Sequence, residues 1–263
     1  MKRINIFFLI ATFFSLFTAQ AQCDLFFSEY AEGTSNNKYL EIFNPTNADI
    51  SLDGYAFPSV SNAPTTPGVI EFWNTFTLGA VVPAGGFYII SHGSADPSIL
   101  ALANQNHTYL SNGDDGYALV QGTETDFVVL DVIGQNITDL DYADPGTGWA
   151  VAGVTNATQD HVLVRKSSVT QGNTDWALSA GTDEASSEWT VFPVDTWTDL
   201  GLHTFTGSCG PVVSGCTNPN ATNYDATANE DDGSCTFANA CNLEGIEVAA
   251  SSFAFVPADL TVD

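Results

Sequence analysis

Short runs of β-branched and aromatic residues recur along the chain between clusters of turn-forming residues. The runs are Asp24 to Glu32, Tyr39 to Phe43, Val69 to Leu78, Gly86 to Ser91, Tyr117 to Gln121, Phe127 to Ile133, His161 to Arg165 and Trp189 to Phe192. Each is expected to be a strand, because such side chains fit a pleated, half-buried surface. Between them lie Gly33-Thr34-Ser35-Asn36-Asn37, Asn44-Pro45-Thr46-Asn47, Ser111-Asn112-Gly113-Asp114-Asp115-Gly116 and Asp144-Pro145-Gly146-Thr147-Gly148. These residues accept positive φ or hydrogen-bond their own backbone, so they mark turns. No amphipathic helical period persists, and the pattern predicts an antiparallel all-β sandwich or barrel.

Finer expectations follow from individual runs. Phe87-Tyr88-Ile89-Ile90 is apolar without a break, which suits a central strand. Val162 and Val164 alternate with His161, Leu163 and Arg165, which suits a strand with one face more buried than the other. Ala95 to Asn104 is the one segment expected to form a short helix, over one end of the sheets.

Composition sharpens this picture. The 263 residues hold 44% apolar and 12% aromatic side chains, enough to bury a core, and only 14% are charged, unlike an acidic disordered tail. Five Lys and Arg stand against 31 Asp and Glu, a net charge of -26. Binding to nucleic acid is disfavoured, because phosphate contacts need clustered Lys and Arg.

Two of the five basic residues, Lys2 and Arg3, open what looks like a secretory leader: an apolar run from Ile4 to Phe17 ends in Thr18-Ala19-Gln20-Ala21. The run is shorter than the ~20 residues a membrane span requires, so no span is expected after cleavage. Gln22 stands where a lipoprotein signal places a small residue, which disfavours lipidation of Cys23. Export makes disulfides the expected state of Cys23, Cys209, Cys216, Cys235 and Cys241. Cys216 with Cys235 closes a segment that has no other core, worth about 3 kcal/mol on the chain-entropy model. Cys23 with Cys209 is the second expected pair, flanking the sandwich region, and Cys241 is left over.

Phe27-Ser28-Glu29-Tyr30-Ala31-Glu32-Gly33 and Asn36-Asn37-Lys38-Tyr39-Leu40-Glu41-Ile42-Phe43-Asn44-Pro45 resemble the start of the lamin tail domain in secreted bacterial proteins. Leu52-Asp53-Gly54-Tyr55, Val82-Pro83-Ala84-Gly85-Gly86-Phe87-Tyr88-Ile89-Ile90, Asn112-Gly113-Asp114-Asp115, Asp131-Val132-Ile133-Gly134 and Leu163-Val164-Arg165-Lys166 match in order, over roughly residues 24–206. The resemblance implies an immunoglobulin-like β-sandwich, and a binding or architectural module rather than an enzyme. Basic partner surfaces proposed for some lamin tails have no counterpart among Lys38, Arg165 and Lys166.

The expected organisation is therefore a leader over 1–21, the sandwich over 22–208, a Cys-bounded acidic repeat over 209–240 and a β fragment over 241–263. Gly215 to Cys235 is loosely similar to thrombospondin type 3 calcium repeats. The last segment, around Glu244 to Val262, resembles the opening of a plastocyanin-type cupredoxin and reads as the front of a truncated domain. Copper is not expected here, since no His follows His203 and the only Met is Met1.

Candidate chemistry is sparse. Calcium takes roughly six to eight oxygen ligands, and Asp225, Asn229, Asp231 and Asp232 crowd several beside Gly233. The register does not fit an EF-hand, and a solvated, disulfide-closed acidic loop explains the same residues. Glu29, Glu32, Glu41, Asp114 and Asp115 are a second possible cation set, with surface placement the plainer expectation. Ser91 and His92 form the least poor catalytic pair but read as ordinary strand-end residues.

The function expected is that of a secreted, non-catalytic module for an extracellular protein or polysaccharide partner. The alternatives are a carbohydrate-binding module using Trp73, Trp149, Trp176, Trp189 and Trp197 as a platform, or the accessory front of a longer secreted enzyme or copper protein.

Overall fold

The computed structural model describes residues 23–207, 209, 214–226, 228 and 230–237. The leader, the residual Cys241 and the cupredoxin-like segment lie outside the described residues. The chain divides into two compact units, Met1–Pro211 and Val212–Asp263. Cys209 is bonded to Cys23 within the first unit.

In chain order the first unit holds β1 (Phe26–Glu32), β2 (Lys38–Phe43), β3 (Ile50–Ser51), β4 (Tyr55–Ala56), β5 (Ser59–Val60), β6 (Val81–Val82) and β7 (Phe87–Ser91). It continues with α1 (Pro97–Leu100), β8 (Gln105–Asn106), β9 (Gly116–Thr123), β10 (Asp126–Ile133), β11 (His161–Arg165), α2 (Trp176–Ala180) and β12 (Trp189–Pro193). A six-stranded sheet runs β12-β11-β1-β2-β7-β8, and a second sheet runs β10-β9-β4 with β5 also on β9. Apart from the short parallel pair of β7 with β8, the strands of these two sheets pair antiparallel. Side chains of both sheets share one core, including Phe27, Tyr30, Leu40, Ile42 and Leu163 from the first and Ala118, Val120 and Val132 from the second. The result is an all-β, immunoglobulin-like sandwich.

The large sheet is buried on both faces. Its outer face carries a second apolar cluster of Ala31, Tyr39, Ile89 and Val162, covered by Ile99 of α1 and by Leu200. This corrects the expectation for β11: Leu163 enters the sandwich core and Val162 the outer cluster, so both faces are buried. A bulge between Phe27 and Glu29 shifts the alternation of β1, so that Phe27 and Tyr30 both reach the core.

Val69 to Leu78 is not a strand. It touches the second sheet through isolated bridges, Phe72 to Ser59 and Thr75 to Ala56, and leaves Val69, Phe72 and Leu78 exposed. Apolar content alone suggested a strand there, but its backbone bonds to the second sheet are confined to Phe72 with Ser59 and Asn74 with Phe57, too few to make a continuous ladder. The expected helix is shorter than Ala95 to Asn104. Asp96 caps it by accepting from Ser98 N at 2.8 Å, with Pro97 in its first turn. α2 has no periodic signal; Asp175 caps it and Gly181, at φ +63, ends it.

In the second unit, β13 (Ser214–Gly215) pairs parallel with β14 (Glu230–Asp231), and Cys216 is bonded to Cys235.

Candidate functional site

At one end of the sandwich, where β2 begins, β5 and β7 end and β9 begins, the two sheets part around a cleft of about 540 Å³. One wall is the loop Ser111 to Asp115. Lys38 holds it from inside: Nζ donates to Ser111 O at 2.8 Å and to Asn112 Oδ1 at 2.6 Å, and pairs with Glu32 at 3.0 Å. Gly113 makes the loop possible, since it sits at φ +107 and a Cβ there would lie 2.5 Å from the Gln159 side chain. Asp114 and Asp115 bind across the mouth to Asn62, at 2.6 Å to its amide nitrogen and 3.0 Å from its backbone N–H.

The opposite wall is built from Ser59, Phe72 and Asn74, with Asn74 Nδ2 donating to Phe57 O at 3.1 Å and Ser59 Oγ at 3.0 Å. His107 also lines the cleft, packed edge-on against Phe57, and burial pushes its pKa down. Two aromatic rings stand at the lips: Tyr109 is 82% exposed and Phe72 is 52% exposed. The Tyr109 backbone is fixed, since its carbonyl accepts from Tyr117 Oη at 3.3 Å. The Asn36 amide and Thr108 hydroxyl line the same space and make no hydrogen bond to another described residue.

The residues singled out from sequence are distributed differently. Glu29, Glu32, Glu41, Asp114 and Asp115 do not converge, and the first three are buried, which corrects the expectation of surface placement. Glu32 is paired with Lys38 and belongs to the loop clamp. Glu29 and Glu41 stand directly opposite each other on β1 and β2, each 1% exposed, on the outer face of the large sheet. Tyr39 Oη donates to Glu29, Ser28 Oγ donates to Glu41 at 2.6 Å, and Gly201 N donates to the other Glu41 oxygen at 2.5 Å. Burial pushes Glu29 up to about 8, the Tyr39 hydrogen bond opposing and the charges of Glu41 and Asp199 adding to it. Burial likewise pushes Glu41 up to about 7, against the bonds from Ser28 and Gly201. Both oxygens of Glu41 are spent inside the protein, so the pair offers no acid and base to a substrate.

Ser91 and His92 do not form a nucleophile and base. Ser91 is buried and turned to Asn106, while His92 Nδ1 accepts from Ser94 N at 3.0 Å. The tryptophans make no exposed platform, correcting the carbohydrate surface drawn from sequence. Trp176 and Trp189 are buried against each other, Trp73 packs on Phe127, Trp149 on Tyr142, and Trp197 donates to Ser98 Oγ at 3.1 Å. The aromatic lip of the cleft is instead Phe72 and Tyr109, which carried no signal in the sequence because nothing local says that a loop aromatic stays uncovered.

In the second unit, Asp231 and Asp232 accept from the backbone N–H groups of Gly233 and Ser234 at 3.1 and 2.9 Å, as turn residues do. Asn229 lies outside the described residues. Among the described residues, no group of three or more His, Cys, Asp or Glu side chains is arranged to hold a metal ion.

An immunoglobulin-like sandwich whose carboxylate pair is sealed inside and which opens a lipped cleft at one end has the layout of a binding or architectural module. Comparison with known families agrees: residues 18–142 match the Lamin Tail Domain, an immunoglobulin-like family that is not enzymatic. β11 and β12 lie beyond the matched residues. No curated protein matches the chain. Among the described residues, no helix is long and apolar enough to cross a membrane.

Proposed function

We propose that the chain acts outside the cell as a non-catalytic binding module that engages a protein or polysaccharide through the cleft bounded by Phe72 and Tyr109. The carrying observation is the exposure of two aromatic rings over a cleft whose walls are locked by Lys38 and Asn74. Exposed aromatics on a rigid frame supply contact area at low entropic cost. The leader and the two disulfides support an extracellular setting, since such bonds persist in oxidising compartments. Binding of the purified mature chain to the producing cell's outer surface tests the reading. Tyr109→Ala and Phe72→Ala should each reduce it at least tenfold, and binding indifferent to both would refute it. N-terminal sequencing of the exported protein should begin at Gln22.

Calcium on the acidic loop is a separate proposal, supported by the density of oxygen donors at Asp225, Asn229, Asp231 and Asp232. Millimolar calcium should raise the unfolding temperature and EDTA lower it. Superimposable calorimetric traces would remove calcium from the account.

A further inference from the structure

The geometry points to a neutral saccharide as the ligand of the cleft, seated with a sugar ring against Tyr109 and Phe72. This rests on the reading of the cleft as the binding site and narrows it to one ligand chemistry.

The argument proceeds by what each wall can recognise. A sugar ring presents a face of C–H bonds and a rim of hydroxyls. It therefore suits a site that pairs an uncovered aromatic ring with uncharged donors and acceptors. The cleft has both: Tyr109 and Phe72 at the lips, and the Asn36 amide and Thr108 hydroxyl with no partner among the described residues. Its volume of about 540 Å³ lies within the roughly 300–1,000 Å³ of small-ligand sites.

Other ligand classes fit less well. An anionic glycan or phosphate needs an available cation, but Lys38 is already committed to Glu32, Ser111 and Asn112. Burial pushes the His107 pKa down, which disfavours its cationic form, and the chain carries a net charge of -26 that repels anions. A free metal ion finds no cluster of three acidic, His or Cys side chains among the described residues. An extended peptide would dock by adding to a strand edge. The strand in the cleft wall at Ser59 has its N–H and carbonyl both already bonded to Phe72, at 3.0 and 3.1 Å. A peptide finds no free backbone ladder on that wall, whereas a sugar requires none.

The test uses the full mature chain on an array of neutral oligosaccharides built from glucose, mannose, xylose, galactose or N-acetylglucosamine, alongside anionic glycans and peptides. Hits are measured by titration calorimetry. At least one neutral oligosaccharide should bind, with affinity changing less than about twofold between low and high salt because no charges meet. Tyr109→Ala should weaken it at least tenfold while Tyr109→Phe, which keeps the ring, retains most of the affinity. Circular dichroism of each variant separates lost binding from lost folding. If peptides or anionic glycans bind through Tyr109 and no neutral sugar does, the saccharide assignment is overturned while the cleft reading stands. If no neutral sugar binds, and cell-surface binding is also indifferent to Tyr109→Ala, both fall together. A neutral sugar bound equally well by Tyr109→Ala and Phe72→Ala would place the site elsewhere and also overturn the assignment.

Discussion

The large sheet buries charge on both faces, and the two faces handle it in opposite ways. On the inner face Arg165 is fully buried with Asp131, which reaches across from the second sheet. Every side of that pair is satisfied: Asp131 accepts from Phe27 N and Asn173 N at 2.8 Å, and Arg165 donates to Ser179 Oγ at 2.8 Å and Glu188 Oε2 at 2.9 Å. The guanidinium also stacks on Trp189, 4.1 Å from the ring centroid. Burial raises the Asp131 pKa and the Arg165 charge opposes it. On the outer face the neighbours are two carboxyls, Glu29 and Glu41, with Asp199 nearby and no cation among the groups that shift them. One cluster balances charge with charge; the other is stable only while a proton balances it. Burial of polar groups therefore has two solutions in one sheet, an opposite charge in the first and a bound proton in the second.

The largest expected effect comes from breaking the balanced cluster. Arg165→Met leaves Asp131 buried without its cation and should cost about 3–5 kcal/mol in urea unfolding. Adding Asp131→Leu should recover much of that loss, because the uncompensated charge is what destabilises. A double variant no more stable than Arg165→Met would show that the clasp acts through packing on Trp189 instead.

Next is the outer pair, where the sign follows from the raised values. Glu29 and Glu41 bind protons more tightly folded than unfolded, so their contribution is fully present below the ordinary carboxylate range and is lost as pH rises through about 7 and about 8. Glu29→Gln should flatten that decline, raising stability at pH 9 by about 1–3 kcal/mol, given about 1.4 kcal/mol per pKa unit, with little change at pH 5. Parallel stability curves for the two proteins between these pH values would contradict proton binding by Glu29 as the source of the decline.

His203 runs the other way and more weakly. Burial, with Arg165 adding to it, holds its pKa down at about 4, and its Nε2, beside the Phe26 and Phe43 rings, has no hydrogen-bond partner among the described residues. Its contribution is lost as pH falls from the ordinary histidine range toward 4, and His203→Phe should remove that acid-side loss in thermal melts. The smallest effect is expected at the cleft. Tyr109→Ala should change stability by no more than about 0.5 kcal/mol, since the ring is exposed, while weakening binding at least tenfold.

Much of the frame was legible in the chain itself. Alternating and continuous apolar runs between Gly, Asn and Asp clusters mark most of the long strands, because side-chain period and turn chemistry are local properties. Asp131 and Arg165 stand in two of the segments that resemble lamin tails, yet nothing local reveals that they meet; the bulge between Val129 and Asp131 turns the carboxyl toward β1.

The same limit explains the errors. Glu29 and Glu41 look like surface acids in sequence because their outer face is covered by Leu200 and Gly201, more than 150 residues away along the chain. Val69 to Leu78 has the composition of a strand, but a strand exists only where another offers a ladder. Phe72 and Tyr109 became lips of a cleft only once two sheets closed around them. Sequence by itself determined the class of fold, the turns and the acidic balance, since these depend on neighbours within a few residues. Tertiary structure alone decided which charges are buried, which are paired and which aromatics remain uncovered, because each of those depends on what distant chain is packed against them.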